Sequence, residues 1–442
     1  MNIMGIDIGT TSVSIVLIEK ESGNLIARET AEHRSFLTGG TPEEKIQDPE
    51  RIYKITKEKT EALIRIYGIP SGIGLTGQMH GMLYVDEEGN AVSPLYTWQD
   101  GSGDKLLDGR RSSVQILKEA AGAVSAGYGL ATHYYLQKKG RIPRDAKKMT
   151  TISDYVGMKL CGRTEPVIGM DMAASWGCFD LEKKEFMYDA LKEAGTDISF
   201  LPKIRTEHFI TGETAEGIPV MGAIGDNQAS FFGSVDDLYD TVLINIGTGS
   251  QVTFASENYT ACNGNLELRP CMKDSYILAG SSLCGGRAYA MLEQFYREVS
   301  GRVGGDHYKI MYEQASDFIE QYGVDAAWKV RTTFSGTRSD PGKRGEIAGI
   351  STENFHPGAL TAGVIIGILD ELHQYYIEMC ELTGRKAHRL AGAGNGLRKN
   401  PLMQKLAEEM FGLRIEIPPY EEEAACGAVR CMKSLCDKSF LF

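Results

Sequence analysis

The chain has 442 residues, with 47 Lys and Arg against 59 Asp and Glu and a formal net charge of -12, so neither nucleic acid nor an anionic membrane is expected as a partner, both being gripped through a basic face. Apolar residues at 42% and charged residues at 24% are the proportions of a globular chain with a sizeable core, and the length favours two domains over one. Nine scattered cysteines without a Cys-x-x-Cys pattern read as reduced thiols of a cytoplasmic protein; Asp7 interrupts the opening apolar residues, which argues against a signal peptide, and the longest apolar stretch, near residues 360 to 369, is too short to cross a bilayer.

Alternating apolar residues predict strands over residues 3–8 and 12–19, and Glu21-Ser22-Gly23-Asn24 turns the chain into a third strand over 25–30, a three-stranded meander. Ile52, Ile55, Leu63, Ile64 and Ile66 recur among charges and predict a one-sided helix over 49–67. Residues 72–76 form a short apolar strand that opens into the loop Gly77-Gln78-Met79-His80-Gly81. Strands and helices go on alternating, which places the chain in the α/β class. A second meander begins near Asp240, with strands over 241–246 and 250–255, and helices follow over 285–300, 308–322, 357–383 and 401–411. The boundary falls near residue 237, giving domains 1–237 and 238–442; no low-complexity linker separates them, so a shared cleft is expected.

Two short segments echo one another. Met4-Gly5-Ile6-Asp7-Ile8-Gly9-Thr10-Thr11-Ser12 and Leu243-Ile244-Asn245-Ile246-Gly247-Thr248-Gly249-Ser250 are both apolar runs that break into a turn rich in Gly and hydroxyls. Such a turn brings backbone N–H groups close to a phosphate and adds hydroxyl donors, so two of them on matching strands predict a duplicated fold that grips a polyphosphate from two sides. Either turn alone is more often just a hairpin turn.

The ordered set of motifs resembles the FGGY family of carbohydrate kinases over nearly the whole chain. It runs through the first phosphate loop at Asp7 to Ser12, Gln78-Met79-His80-Gly81, Thr97-Trp98-Gln99-Asp100, Gly225-Asp226-Asn227-Gln228, the second phosphate loop at Gly247 to Ser250, and Ala391-Gly392-Ala393-Gly394-Asn395-Gly396. The resemblance implies an α/β protein of two ribonuclease H-like, actin-type ATPase domains around a central cleft. Its expected chemistry is transfer of the γ-phosphoryl of ATP, with Mg2+, to the terminal primary hydroxyl of a ketose. The wording of Thr97-Trp98-Gln99-Asp100-Gly101 and Ala173-Ala174-Ser175-Trp176-Gly177 favours sedoheptulose as that ketose, with xylulose or ribulose as the alternative. An ATPase that uses nucleotide as a switch, in the manner of actin or a chaperone, is the rival from another class, and a homodimer is left open. One stretch departs from the family: where many members carry Pro-x-x-Lys-x-x-Trp, this chain has Gly129-Leu130-Ala131-Thr132-His133-Tyr134-Tyr135, which bears on the substrate lid.

The resemblance assigns residues to roles. Asp226 is the expected catalytic base, because a carboxylate set against a sugar hydroxyl can accept its proton; read alone, Gly-Asp-Asn is equally good chemistry for capping a helix that begins at Asn227. Asp7 is the expected metal ligand, a charge in an apolar strand that needs a partner. Thr10, Thr11, Ser12, Gly247, Thr248 and Gly249 are expected at the phosphates, and Gly392, Gly394 and Asn395 at the adenosine, in a tight turn leading to the helix over 401–411. Gln78, His80, Trp98, Gln99, Asp100 and Asn227 offer the amides, carboxylate and aromatic face that a polyol site uses. By themselves they are polar loop residues.

Overall fold

In the computed structural model, which describes residues 1–107, 109–262, 264–272, 275–300, 306–337, 340 and 342–437, the chain divides into two units. The first comprises Met1–Gly233, Arg269–Ser275 and the residues from Glu422 onward; the second comprises Ser234–Leu268 and Tyr276–Glu421. The division is therefore not a single cut near residue 237: a hairpin tip and the last helix belong with the first unit.

In the first unit, Asn2–Ile8, Ser12–Glu19 and Leu25–Glu32 form an antiparallel meander. Alternation in these strands sends Met4, Ile6, Ile8, Val13, Ile15 and Leu17 into the core. The helix Pro49–Tyr67 follows, started by Asp48, whose side chain accepts from Arg51 N, and by Pro49 in the first turn, and ended at Gly68. It returns the chain to Ile73–Gly77, which lies parallel to the opening strand. The sheet order is Ile210–Glu213, Pro219–Met221, Ile73–Gly77, Asn2–Ile8, Ser12–Glu19, Leu25–Glu32, with Ile224–Gly225 also paired to Ile73–Gly77. Three strands thus end their loops at one edge of the sheet: Ile8, Gly77 and Gly225 are mutually linked by register, since Ile8 and Gly225 both pair with Gly77.

The second unit repeats the plan. Thr241–Ile246 pairs antiparallel with Ser250–Ser256, which pairs antiparallel with Ser275–Ser282, while Arg389–Ala393 lies parallel to Thr241–Ile246. Both sheets therefore run from a parallel strand through an antiparallel pair to a third antiparallel strand, but the second is not the plain meander expected from sequence: its third place is taken by Ser275–Ser282, and Leu266–Met272, which precedes that strand in the chain, lies outside it at the edge. The 27-residue helix Pro357–Thr383 supplies most of the apolar cover, with Ile365, Ile368, Leu369 and Leu372 buried against Val242, Ile244 and Phe254. The sequence-predicted helices over 357–383 and 401–411 coincide with the helices found, because each is bounded by Pro at its start and by Gly384 or Gly412 in the left-handed conformation just past its end.

The helix Glu423–Asp437 packs on the first sheet at unusually short range. A Cβ placed on Gly5 would stand 2.1 Å from Ala425 O, and one on Gly74 would stand 2.1 Å from Ala428 O. Where this helix crosses Asp226–Ser234, a Cβ on Gly427 would stand 1.9 Å from Ala229 O and one on Gly233 would stand 1.8 Å from Glu423 O. The blocking atoms are backbone, so no side chain can rotate away. Gly5→Ala and Gly74→Ala are each expected to destabilise the protein by about 1–3 kcal/mol, the scale of overpacking a closed core. A lowered denaturant midpoint at unchanged slope is the readout; an unaltered midpoint in both variants would show that this packing yields freely.

Candidate active site

The first loop is built by turning its carbonyls inward. Gly9 N donates to Ser12 O at 3.0 Å, closing the hairpin. Gln47 Nε2 donates to Thr10 O at 2.6 Å, His33 N to Thr11 O at 3.2 Å, and His33 Nε2 lies 3.2 Å from Gly9 O. That last contact requires the proton on Nε2, which agrees with Nδ1 accepting from Ser35 Oγ at 2.8 Å and with burial holding the imidazole below its usual pKa. Drawing oxygen atoms inward removes negative partial charge from the face an anion would approach. Neither Gln47 nor His33 was singled out from the sequence, since each sits in a stretch with no motif of its own.

At the head of that loop, Asp7 and Asp226 share one electrostatic environment. Asp7 Oδ1 is buried without a hydrogen-bond partner, and burial first, then the charge of Asp226, push its carboxyl up to about 7. Asp226 is pushed up to about 6 by burial, against the opposing influence of the Asn227 N–H, of Arg269 and of the Asn227 side chain, whose Nδ2 donates to Asp226 Oδ1 at 3.0 Å. The helix begins at Asp226 itself and not at Asn227, so the carboxylate sits in the first turn, where the helix dipole favours a negative charge. An orphaned carboxylate oxygen beside a second carboxylate is a fit for a cation. Among the described residues no group of three or more His, Cys, Asp or Glu is placed to hold a metal ion.

Two further buried carboxylates shape the loop that carries Asp226. Asp154 Oδ1 accepts from Ala223 N at 3.1 Å while its Oδ2 accepts from Thr151 Oγ1 at 2.7 Å, and Asp171 Oδ2 accepts from Gly225 N at 2.7 Å. Despite these bonds, burial lifts Asp154 to about 7 and Asp171 to about 6.

The sequence-predicted sugar residues divide into groups. Gln78 is buried, its Nε2 donates to Gln47 Oε1 at 3.1 Å, and its Oε1 has no partner. His80 has a left-handed φ of 71° and is held there by two bonds, its N donating to Ser175 Oγ at 3.0 Å and its Nδ1 donating to Ser175 O at 2.7 Å, so Nε2 is the acceptor in the neutral ring. Tyr128 stacks on that ring with centroids 4.3 Å apart. Asn227 Nδ2 also contacts Met79 Sδ at 3.6 Å, which joins the Asp226 helix to the same loop. Trp98 is half exposed and donates from Nε1 to Thr10 Oγ1 at 3.0 Å, which ties it to the phosphate loop, and Gln99 is exposed. Asp100 is almost fully buried and already occupied: Oδ1 accepts from Ser102 N at 3.0 Å and Oδ2 from Lys45 N at 3.1 Å, so it pins two segments of backbone. The departing stretch is the start of the helix Gly129–Lys138 and is core: His133 is buried between Tyr84 Oη at 2.6 Å and Asp197 O at 3.0 Å.

In the second unit, the Gly247 to Gly249 turn is tied to the start of the helix Gly285–Val299. Gly286 N donates to Gly247 O at 2.9 Å and Arg287 N to Thr248 O at 2.8 Å. Beside it lies a cavity of about 1100 Å³ lined by Gly247, Thr248, Tyr289, Tyr308, Gly394 and Asn395 among others, with the Tyr289 and Tyr308 rings stacked at 5.8 Å. Gly394 has φ 84°, and a Cβ there would stand 2.5 Å from Ile246 O, so only Gly lets the two turns meet. It opens a short helix, Asn395–Arg398, before Pro401–Phe411, rather than leading straight into the latter. Gly392 is a strand residue whose missing side chain makes room for Leu397, Ile415 and Ile417, and it does not line the cavity.

The two units thus each carry a Gly and hydroxyl-rich loop on a sheet with a parallel strand, and the first adds the carboxylates Asp7 and Asp226. The model of the FGGY family of carbohydrate kinases, N-terminal domain, matches residues 2–233 and that of the C-terminal domain matches residues 242–432. The chain belongs to this family. It is 28% identical to a sedoheptulokinase of Mus musculus, covering 92% of each chain, and 27% identical to that of Homo sapiens, covering 97% of this chain and 96% of the other. A xylulose kinase of Staphylococcus xylosus is 23% identical over 96% of this chain and 89% of its own. The crystal structure of a xyloylose kinase from Brucella ovis superposes with a TM-score of 0.82 at 20% identity, covering 100% of this chain and 91% of its own, a likeness of fold. Among the described residues no helix is long and apolar enough to cross a membrane.

The raised carboxyls set a sign for stability against pH. In the unfolded chain Asp154 and Asp171 titrate near their ordinary 3.8, whereas the folded protein keeps their protons up to about 7 and about 6. The folded state therefore binds more protons between those values, and the stabilisation that this brings is lost as pH rises through them. Buried His133 and His208, both held down to about 4, act with the opposite sign in this window, so the carboxyl contribution is read by difference: the melting temperature of Asp154→Asn should gain on that of the wild type between about pH 5.5 and about pH 8. A constant difference between the two proteins across this window would show that Asp154 does not hold a proton there.

Proposed function

We propose that this kinase phosphorylates the terminal primary hydroxyl of a ketose in the cytoplasm, with sedoheptulose the preferred acceptor and xylulose or ribulose the alternative. The observation that carries the catalytic reading is the paired environment of Asp7 and Asp226 at the head of the first loop. The sequence likeness to two sedoheptulokinases over more than nine-tenths of the chain supports the seven-carbon sugar. The weaker likeness to a xylulose kinase keeps the pentuloses in view.

In this reading the N-terminal unit, residues 1–237 in sequence terms, binds the sugar through Gln78, His80, Trp98, Gln99 and Asn227. Asp100 braces the loop beneath them. Thr10, Thr11 and Ser12 take phosphate oxygens. Gly247, Thr248 and Gly249 do the same in the C-terminal unit, where Gly394 and Asn395 flank the adenosine and the stacked Tyr289 and Tyr308 offer it an aromatic wall. Asp7 would hold Mg2+ through the ion's water shell, and the bound ion would neutralise charge on the ATP phosphates. Asp226, ionised at neutral pH because its pKa stays near 6, accepts the hydroxyl proton as the phosphoryl group is transferred.

Two variants separate the halves of this reading. Asp226→Asn should lower ketose-dependent ADP release by roughly 10²-fold or more while leaving ATP affinity within a small factor. Gly247→Val should do the reverse: a Cβ at Gly247 meets no atom within 4 Å, so the fold is undisturbed, yet the added side chain occupies the approach to the loop. Calorimetry showing normal ATP affinity in the Gly247 variant would remove the second loop from phosphate binding.

The sugar is settled by a panel. Sedoheptulose should give the highest kcat/KM, the pentuloses the next and glycerol a poor value, because each hydroxyl a shorter acceptor lacks leaves a buried polar group such as Gln78 Oε1 unpaired, at about 1–3 kcal/mol per group. Xylulose ahead by about tenfold, or about 1.4 kcal/mol, would overturn the choice of sugar and leave the kinase assignment standing.

A further inference from the structure

Gln47 is fully buried in the first unit, and its backbone is clamped on both sides. It lies on the short strand Ile46–Gln47, paired antiparallel with Phe36–Leu37 on one side and Leu95–Tyr96 on the other, and the next residue, Asp48, caps the helix Pro49–Tyr67. The side chain therefore leaves a fixed backbone, and each end of its amide has a protein partner. Nε2 donates to Thr10 O at 2.6 Å, and Oε1 accepts from Gln78 Nε2 at 3.1 Å. Gln78 Nε2 also reaches Gly9 O, at 3.5 Å. The polarity of this chain is set from its phosphate end. A backbone carbonyl only accepts, so the Gln47 atom facing Thr10 O has to be nitrogen, the atom facing Gln78 has to be oxygen, and the Gln78 atom facing Gln47 has to be nitrogen. Gln78 Oε1 is left as the free end, buried and without a partner.

A buried acceptor without a donor has lost its hydration and gained nothing in return, so it is a place for a hydroxyl proton. The same residue acts on the phosphate side. By holding Thr10 O, Gln47 keeps a carbonyl dipole off the face of the first loop. Trp98 Nε1 donates to Thr10 Oγ1 at 3.0 Å, which leaves the Thr10 hydroxyl its own proton to give. We propose that Gln47 is a positioning residue for both substrates: through Gln78 it fixes an acceptor for one sugar hydroxyl, and through Thr10 it keeps the first loop a donor face for the phosphates. With both amide ends occupied by protein, it acts through these two neighbours. The inference rests on the reading of Gln78 as a sugar residue and Thr10 as a phosphate residue. It goes beyond that reading in naming the one side chain that sets the hydrogen-bonding direction of both.

The test is a double-mutant cycle on the full chain, with ketose KM and kcat from ADP release and ATP affinity from calorimetry on the sugar-free protein. The ketose is whichever of sedoheptulose and xylulose the wild type uses better, so the choice of sugar does not enter. Gln78→Met should raise ketose KM by about tenfold and leave ATP affinity within about twofold, since it deletes the acceptor. Gln47→Met should raise ketose KM by about as much and also weaken ATP binding by about threefold or more. The double variant should then be no worse toward the ketose than Gln78→Met, because Gln47 reaches the sugar only through Gln78. Gln47→Glu keeps an acceptor for Gln78 and loses the donor to Thr10 O, so its ketose KM should return toward the wild-type value while ATP stays weakly bound; it decides the matter if Gln47→Met does not fold. Ketose effects that multiply in the double variant, or ATP affinity unchanged in both Gln47 variants, would overturn the proposal. So would a fall in kcat with neither ketose KM nor ATP affinity moved, the mark of a merely structural residue. A wild type that releases no ADP with either ketose would sink the ketose reading separately, and the ATP affinities of the Gln47 variants would still decide the Thr10 arm.

Discussion

Two carboxylates that share a buried environment repel one another, and the first unit is organised around satisfying them. Asp7 lies one residue from the end of the opening strand and Asp226 begins a helix, and the charge of Asp226 adds to burial in raising the demand of Asp7 for a proton or a cation. Asp171 and Asp154 fix the intervening backbone through Gly225 N and Ala223 N. Asn227 caps one oxygen of Asp226, and Arg269 supplies the nearby positive charge. In a medium of low polarity such charges are strongly felt, so small changes in their number move protons and ligands alike.

The second unit repeats the frame without that charge. Asn245 stands two residues before Gly247, as Asp7 stands two before Gly9, and both occupy the central strand of their sheet beside a parallel neighbour, Ala393 for Asn245 and Thr76 for Asp7. The loops differ as well: Gly9 N reaches Ser12 O, whereas Gly247 N reaches Gly249 O one residue sooner. One copy carries an ionisable side chain where the other has a neutral amide.

The elements were legible where punctuation marked them. Pro49, Pro357 and Pro401 open helices and Gly68, Gly384 and Gly412 close them, so these boundaries followed from local chemistry. The repeated loop was legible because a strand that breaks into Gly, Thr and Ser leaves a local trace, and the motif order carried the family. Long-range placement left no such trace. Nothing in Leu268-Arg269-Pro270 announces that a hairpin tip belongs with the first unit, and nothing in Thr97-Trp98-Gln99-Asp100 reveals that Asp100 spends both oxygens on backbone. The stretch from Gly129 to Tyr135, read as bearing on a lid, is core because a buried His133 bridges Tyr84 and the backbone at Asp197, contacts 49 and 64 residues apart.

The last helix lies against the first strand, with backbone atoms of Ala425 and Ala428 filling the space that side chains at Gly5 and Gly74 would take. A chain emerging from the ribosome presents those two strands hundreds of residues before the helix that covers them. Until Glu423–Asp437 has been made, the sheet exposes a face made for a partner that does not yet exist, a surface prone to non-native association. Synthesis order therefore delays completion of the first unit until the whole of the second has been made, and termination upstream of Glu423 leaves that face of the sheet without its helix.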